Sequence, residues 1–109
     1  GWGGLAFLAG VPGSVGGAVA MNAGTHLGET RDRVVEVRWC DASGQVRVTC
    51  APDLRFDYRK NLFLTAGACV LSVVWRVDQA EPAEVAREIS SVLERRKQTQ
   101  PVDLPNCGS

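Results

Sequence analysis

The chain has 109 residues, of which 45% are hydrophobic and 22% charged, and its twelve basic residues balance twelve acidic ones. This composition predicts one soluble globular unit or a piece of one. A net charge of zero argues against a nucleic-acid-binding arm or a surface for anionic membranes, since both require a clustered basic excess, so we expect neither partner.

The first 28 residues are rich in glycine and other small residues. Four glycines surround Pro12 in one tight cluster, at Gly10, Gly13, Gly16 and Gly17. Glycine permits a close approach of the backbone that larger side chains would prevent. The apolar run at residues 5–11 is far shorter than the roughly 18 residues that a membrane helix needs, so no transmembrane segment is expected.

The segment around Ser14 has two interpretations. A short helix that begins near Ser14 after the glycine turn would form an anion cradle of backbone N–H groups, suited to a diphosphate without a lysine. The glycine spacing, however, matches neither the Rossmann dinucleotide fingerprint nor the Walker sequence. A purely structural turn would have the same composition, so the residues alone leave both interpretations open.

A β-hairpin is predicted over residues 34–50. Val34, Val35, Val37 and Trp39 form a run of β-branched and aromatic residues, turn-forming residues follow at 41–45, and residues 46–50 alternate at period two. Pro52 ends this hairpin, and residues 54–58 form a compact mixed segment. Residues 69–77 are the strongest strand signal of the chain, and we expect that strand at the centre of a sheet.

A helix is predicted from Glu81-Pro82 until shortly before Pro101. Three- and four-residue spacing predicts one packed face, formed by Val85, Ile89, Val92 and Leu93. The last turns are basic, which favours the helix dipole and a solvated surface at Arg95, Arg96 and Lys97. Residues 101–109 are typical of an extended linker. Together the elements predict an α+β fold with a mainly antiparallel sheet and flanking helices.

Four cysteines, at positions 40, 50, 69 and 107, form no C-x-x-C pair. Because the single His26 is far from them in the sequence, no metal site is expected. Cys40 and Cys50 flank the predicted hairpin and could face each other, but free thiols in a reducing cytosol are expected. No signal peptide is recognisable, and because the first residue is Gly1 rather than Met, we expect that the natural start is missing.

Several motifs occur together in one order along the chain. They are residues 10–18 (GVPGSVGGA), 21–24 (MNAG), 56–59 (FDYR), 95–101 (RRKQTQP) and 104–109 (LPNCGS). In this combination the chain resembles the UDP-N-acetylenolpyruvoylglucosamine reductase (MurB) family over essentially its whole length. The match of separate motifs in the right order is more specific than the glycine loop alone.

The resemblance implies a fold and a domain organisation. Residues 1–98 would be the C-terminal part, or second half, of a PCMH/VAO-type FAD-binding domain, named after p-cresol methylhydroxylase and vanillyl-alcohol oxidase. Residues 99–109 would be a linker and the start of a truncated substrate-binding domain. The chain would then lack N- and C-terminal parts of its own protein, and we expect it to be inactive alone.

The resemblance also implies a reaction. The full-length parent would be a UDP-N-acetylmuramate dehydrogenase, in which NADPH reduces FAD and the flavin returns a hydride to the small-molecule substrate UDP-N-acetylglucosamine enolpyruvate. This reduction belongs to cytoplasmic peptidoglycan synthesis, and hence to cell-wall biogenesis, cell shape and cell division. An enolate develops beside the substrate carboxylate, so a positive group and a proton donor are needed.

The resemblance assigns roles to residues of this chain. Arg59 would stabilise the carboxylate and the enolate, Ser109 would donate the proton, and Tyr58 and His26 would line the substrate site. The residues expected to bind the cofactor are Gly10, Val11, Pro12, Gly13, Ser14, Gly16, Gly17, Ala18, Asn22 and Gly24. Leu27 departs from the usual glycine of the family, which puts the conformation of that turn in question. The short span from Arg59 to Ser109 favours the shorter form of the family.

Two alternatives remain at this stage. The chain could be the FAD-binding half-domain of a related flavoprotein oxidase, or a non-catalytic module in which the glycine loop is structural. Taken without the motif, an arginine after a tyrosine is most often a surface or ion-pair residue, and a serine after a glycine is most often a loop residue.

Overall fold

The computed structural model describes residues 1–101 and 103–105, which form two compact units. The first unit combines Gly1–Pro12 with the chain from Val77 onward, and the second is Gly13–Arg76. Within the described residues, the helices are α1 (Val15–Ala20) and α2 (Pro82–Thr99), with 3-10 turns at Ala6–Leu8 and Thr30–Asp32. The strands are β1 (Trp2–Gly3), β2 (Gly24–Thr25), β3 (Gly28–Glu29), β4 (Val34–Cys40), β5 (Val46–Cys50), β6 (Phe56–Asp57), β7 (Lys60–Asn61), β8 (Cys69–Trp75) and β9 (Asp78–Gln79).

A three-stranded antiparallel sheet in the order β5-β4-β8 forms the frame of the second unit. The predicted hairpin is confirmed as β4 and β5, with Trp39 opposite Arg47. The expectation that residues 69–77 form a central strand is wrong for this sheet, because β4 lies between β5 and β8. A largely apolar run is typical of a strand covered on both faces, yet Leu71 and Val74 of β8 are 52% and 47% exposed.

The core of the second unit lies between α1 and the sheet. Val19 of α1 is buried together with Val34, Val37 and Trp39 of β4. A Cβ atom added to Gly16 would lie 3.4 Å from Cβ of Val70, so α1 lies close to β8. Val37 and Trp39 alternate toward this core, and an irregularity of the β4–β8 pairing between Val34 and Glu36 allows Val34 to be buried as well.

The first unit pairs a short sheet with the long helix. β1 and β9 are antiparallel, with Trp2 opposite Gln79. The predicted helix is confirmed as α2, which has a proline in its first turn and ends at Thr99. Its apolar face is covered only in part, since Ile89 is 37% exposed and Leu93 40%. The expected solvation of the basic last turns is wrong for Arg96, which is only 8% exposed.

The predicted α+β class with mainly antiparallel sheets is confirmed. The idea that Cys40 could face Cys50 is wrong, because Cys40 lies opposite Val46 and Cys69, whereas Cys50 lies opposite Glu36. The three cysteines within the described residues are free thiols. In the part of the chain that the structure describes, neither helix combines the length and hydrophobicity that a membrane span requires.

Candidate functional site

The glycine-rich loop is divided between the two units. Gly10, Val11 and Pro12 belong to the first unit, and the loop from Gly13 onward belongs to the second. In the first unit Gly10 has a φ of +76°, and a Cβ atom there would lie 2.9 Å from Cδ and Nε of Arg96. A side chain at this position would therefore clash with α2, which is sufficient reason for glycine.

In the second unit the loop leads directly into α1. Ser14 caps the helix, since its Oγ accepts a hydrogen bond from the Gly17 N–H at 3.0 Å. Gly13 has a φ of +135°, and no atom lies within 4 Å of the position that a Cβ would take. The loop therefore presents open backbone at Gly13, while Ala18 already belongs to the helix.

Asn22 follows α1 and is completely buried, with a positive φ of 44°. Its Nδ2 donates to the Asp57 carbonyl at 3.0 Å and to Glu29 Oε1 at 3.4 Å, and its Oδ1 accepts from the Arg31 N–H at 2.9 Å. The side-chain amide of the predicted cofactor residue Asn22 is thus engaged in hydrogen bonds within the protein. Gly24 is buried as well, and a Cβ atom there would lie 2.8 Å from the Gly28 carbonyl oxygen.

Tyr58 and Arg59 form the tip of the hairpin between β6 and β7. Tyr58 is 75% exposed, and the guanidinium carbon of Arg59 lies 5.4 Å from the centroid of its ring. Nη1 of Arg59 donates to the Gly24 carbonyl at 3.0 Å. The structure therefore brings together three residues that the sequence motifs had singled out in two separate segments.

The surroundings of Arg59 leave its charge available. Among the described residues it has no ion pair, because the nearby carboxylates have other partners. Glu29 pairs with Arg31 at 2.8 Å, and Asp57 contacts Lys60 at 4.0 Å. An exposed guanidinium without a carboxylate partner is suited to binding a carboxylate from solution in a bidentate manner.

His26 and Leu27 form the two-residue turn between β2 and β3, and both are exposed. Within the described residues the non-glycine positions with positive φ are Asn22 and Arg59. Leu27 therefore adopts an ordinary backbone conformation, so its departure from glycine imposes no left-handed strain on this turn. Ser109 lies outside the described residues.

Asn61 is a residue that the sequence interpretation missed. Its Nδ2 donates to the Ala20 carbonyl at the end of α1 at 3.0 Å, and its Oδ1 accepts from the N–H groups of Phe63 and Leu64. No local pattern distinguishes it, since its helix partner lies 41 residues earlier. Within the described residues no three His, Cys, Asp or Glu side chains lie close enough to hold a metal ion.

Curated relatives match the chain along nearly its whole length. It is 42% identical over 109 residues to the UDP-N-acetylenolpyruvoylglucosamine reductase of Geobacter metallireducens, covering 100% of this chain and 36% of the relative. It is 36% identical over 106 residues to the reductase of the same name from Lactococcus lactis subsp. cremoris, covering 97% of this chain and 36% of the relative. The chain thus spans about a third of these relatives.

A solved structure gives the same result at the level of the fold. The crystal structure of UDP-N-acetylenolpyruvylglucosamine reductase (MurB) from Thermus caldophilus superposes with a TM-score of 0.81 and 39% identity, covering 93% of this chain and 37% of that one. No protein-family model matches the chain.

Proposed function

Since the chain belongs to the family of UDP-N-acetylenolpyruvoylglucosamine reductases, of which it spans about a third, we propose that it is one region of such a reductase. The complete protein would use NADPH and FAD to convert UDP-N-acetylglucosamine enolpyruvate into UDP-N-acetylmuramate. We place this reaction in the cytoplasm, in peptidoglycan synthesis and therefore in cell-wall biogenesis and cell division.

The proposed domain assignment divides the chain near residue 98. Residues 1–98 would be the second half of a PCMH/VAO-type FAD-binding domain, and residues 99–109 would lead into the substrate-binding domain. The α+β fold with antiparallel sheets is compatible with this division. The first half of the FAD-binding domain and most of the substrate-binding domain would come from other parts of the protein.

Residues of the glycine loop would hold the diphosphate of FAD. The open backbone at Gly13 suits the close approach of an anionic group, whereas Cβ atoms at Gly16 and Gly17 would face Val70 and Ser14 of the protein itself. Ser14 would hold the loop conformation by capping α1, in addition to contacting the diphosphate directly. Once bound, FAD would supply the hydride that reduces the enolpyruvyl double bond. Further proposed flavin contacts come from Gly10, Val11, Pro12, Ala18 and Gly24 of the predicted set, whereas the buried amide of Asn22 is already hydrogen-bonded within the protein.

Arg59 carries the proposal for the substrate. Its guanidinium is fixed by the Gly24 carbonyl, is exposed, and has no ion-pair partner among the described residues. It would bind the substrate carboxylate and stabilise the negative charge that develops next to it during hydride transfer.

The remaining proposed roles belong to residues at the edges of the site. Tyr58 would contact the substrate through its exposed ring and hydroxyl, and His26 would lie near it. Ser109, outside the described residues, would donate the proton to the enolate carbon. An ordinary hydroxyl is a weak acid, so this donation would depend on neighbours contributed by the rest of the protein.

The test uses the full-length protein of which this chain is a part. We expect bound FAD, seen by its absorbance, and NADPH oxidation that depends on UDP-N-acetylglucosamine enolpyruvate. Arg59→Ala should lower kcat/KM for that substrate by roughly a hundredfold to a thousandfold, as for loss of one donor to a developing oxyanion.

The matched control is Arg47→Ala, which removes an arginine that already pairs with Asp41 at 2.8 Å. This control should retain its turnover. Bound FAD without turnover of the enolpyruvyl substrate would favour the related flavoprotein oxidase, and absence of FAD would favour the structural interpretation of the glycine loop.

A further inference from the structure

Two residues of the second unit adopt a backbone conformation that L-amino acids rarely take. They are Asn22, with a φ of 44°, and Arg59, with a φ of 55°, and among the described residues no other non-glycine position has a positive φ. Such conformations are unfavourable and persist where the surroundings hold them, often at functional sites. The two residues belong to one hydrogen-bond network although 37 positions separate them.

Asn22 forms the buried side of this network. It is 0% exposed, and both hydrogens of its amide group are directed to acceptors, the Asp57 carbonyl at 3.0 Å and Glu29 Oε1 at 3.4 Å. Its oxygen accepts from the Arg31 N–H at 2.9 Å. The bond to Asp57 reaches the hairpin that carries Arg59, two residues before that arginine.

The return contact comes from Arg59 itself. Its Nη1 donates to the Gly24 carbonyl at 3.0 Å, two residues after Asn22. Asn61, at the other end of the hairpin, donates to the Ala20 carbonyl at 3.0 Å. The segment 20–24 and the hairpin 56–61 are therefore joined by three hydrogen bonds, and each one uses a side chain on one segment and a carbonyl oxygen on the other.

We propose that Asn22 is a positioning residue for Arg59, which acts by holding the hairpin rather than by contact with substrate or cofactor. The inference rests on the proposed function of Arg59. Asn22 suits this role because its buried amide has already used both donors, and because asparagine tolerates a left-handed backbone better than most residues do. The exposed charge of Arg59 is thereby held in place without an ion pair among the described residues.

The main variant is Asn22→Gly in the full-length protein. Glycine accepts the positive φ without strain, so the substitution removes the amide hydrogen bonds and leaves the backbone conformation accessible. The matched control is Thr30→Val, which removes a buried hydroxyl whose hydrogen bond goes to the Ala23 carbonyl, at 2.8 Å, and not to the hairpin. Both variants lose buried hydrogen bonds in the same region.

The first readout is a double-mutant cycle on binding of UDP-N-acetylmuramate, measured by calorimetry. We expect Asn22→Gly to weaken binding about tenfold to a hundredfold, as for misplacement of a positioning group, and to change the FAD content little. In an Arg59→Ala background the same substitution should cost nothing further, because Asn22 acts through Arg59. Equal losses in both backgrounds, or an equal loss in Thr30→Val, would overturn the inference.

A second readout does not require the proposed substrate. Phenylglyoxal modifies guanidinium groups, and the rate of modification at Arg59 can be followed by peptide mass spectrometry. We expect a severalfold change of this rate in Asn22→Gly and none in Thr30→Val; an unchanged rate in Asn22→Gly contradicts the inference. If the wild-type protein neither binds the product nor turns over the substrate, the proposed function fails while this readout still decides on the role of Asn22.

Discussion

At the scale of single residues, close contacts explain why glycine stands at particular positions. Gly10 has a φ of +76°, and a Cβ atom there would lie 2.9 Å from Leu93 and Arg96. Gly44, in the turn between β4 and β5, has a similar φ of +89° but no atom within 4 Å of that position. Both positions therefore require a positive φ, but only at position 10 would a side chain also clash with neighbouring atoms.

Gly10→Ala should destabilise the full-length protein more than Gly44→Ala. Both substitutions place a side chain at positive φ, but the alanine at position 10 also displaces the buried Arg96 and the partly exposed Leu93, a cost of about 1–3 kcal/mol for overpacking. Thermal melting of both variants measures the difference. Equal losses of melting temperature would show that Arg96 and Leu93 move aside without cost.

At the scale of elements, the β4–β5 hairpin is organised by the carboxylate of Asp41. Its Oδ1 accepts from the N–H groups of Ser43 and Gln45, and its Oδ2 accepts from Nε of Arg47 at 2.8 Å. The hydrogen bond from the Ser43 hydroxyl, and after it that from Arg47, hold the pKa of Asp41 well below its usual value of 3.8. The charged form of Asp41 therefore stabilises the turn.

Asp41→Asn should lower the melting temperature at neutral pH and lose this effect in acid. A depressed pKa in the folded state stabilises the fold above the usual carboxyl pKa of 3.8, and the stabilisation is lost as the pH falls below that value. The difference in melting temperature between wild type and variant should thus begin to narrow below about pH 4 and continue to narrow as the pH falls toward the folded-state pKa. A difference that is constant from pH 7 to pH 3 would contradict this assignment.

At the scale of the whole molecule, apolar side chains remain exposed on one face of the second unit. Cross-strand partners project to the same face, so Val46, Val48 and Val74 lie opposite Cys40, Arg38 and Glu36, respectively, on the face away from the α1 core. These valines are 52%, 50% and 47% exposed. Exposed valines on an uncovered sheet face favour association.

Expressed alone, the chain should therefore self-associate. Val48→Lys places a charge in the middle of the exposed face and should shift the chain toward the monomer. The control Val35→Lys adds the same charge at another exposed valine of the sheet, and tests whether added charge by itself is sufficient to produce the monomer. Sedimentation of the three chains at several concentrations measures the effect. A wild-type chain that stays monomeric at high concentration would contradict this expectation.

Local sequence patterns were sufficient to predict the β4–β5 hairpin and the helix α2. The β-branched and aromatic residues of β4, the period-two alternation of β5 and the proline at the start of α2 are features of neighbouring residues, so the hairpin and the helix could be predicted without tertiary information. The order of the short motifs was likewise sufficient for the family, since it depends on residue identity along the chain. The assigned cofactor and substrate contacts of these motifs stay predictions.

The features that the sequence did not predict depend on contacts between residues that are distant along the chain. The position of β8 at one side of β4, the burial of Arg96, and the hydrogen bonds from Asn22 to Asp57 and from Arg59 to Gly24 each depend on chain segments that meet in the folded protein. Sequence periodicity describes which face of an element is apolar, but not which carbonyl a side chain reaches 35 residues away. The sequence therefore determined which polar and charged side chains the protein has. Tertiary packing determined that Arg59 is held in place with its charge unpaired among the described residues.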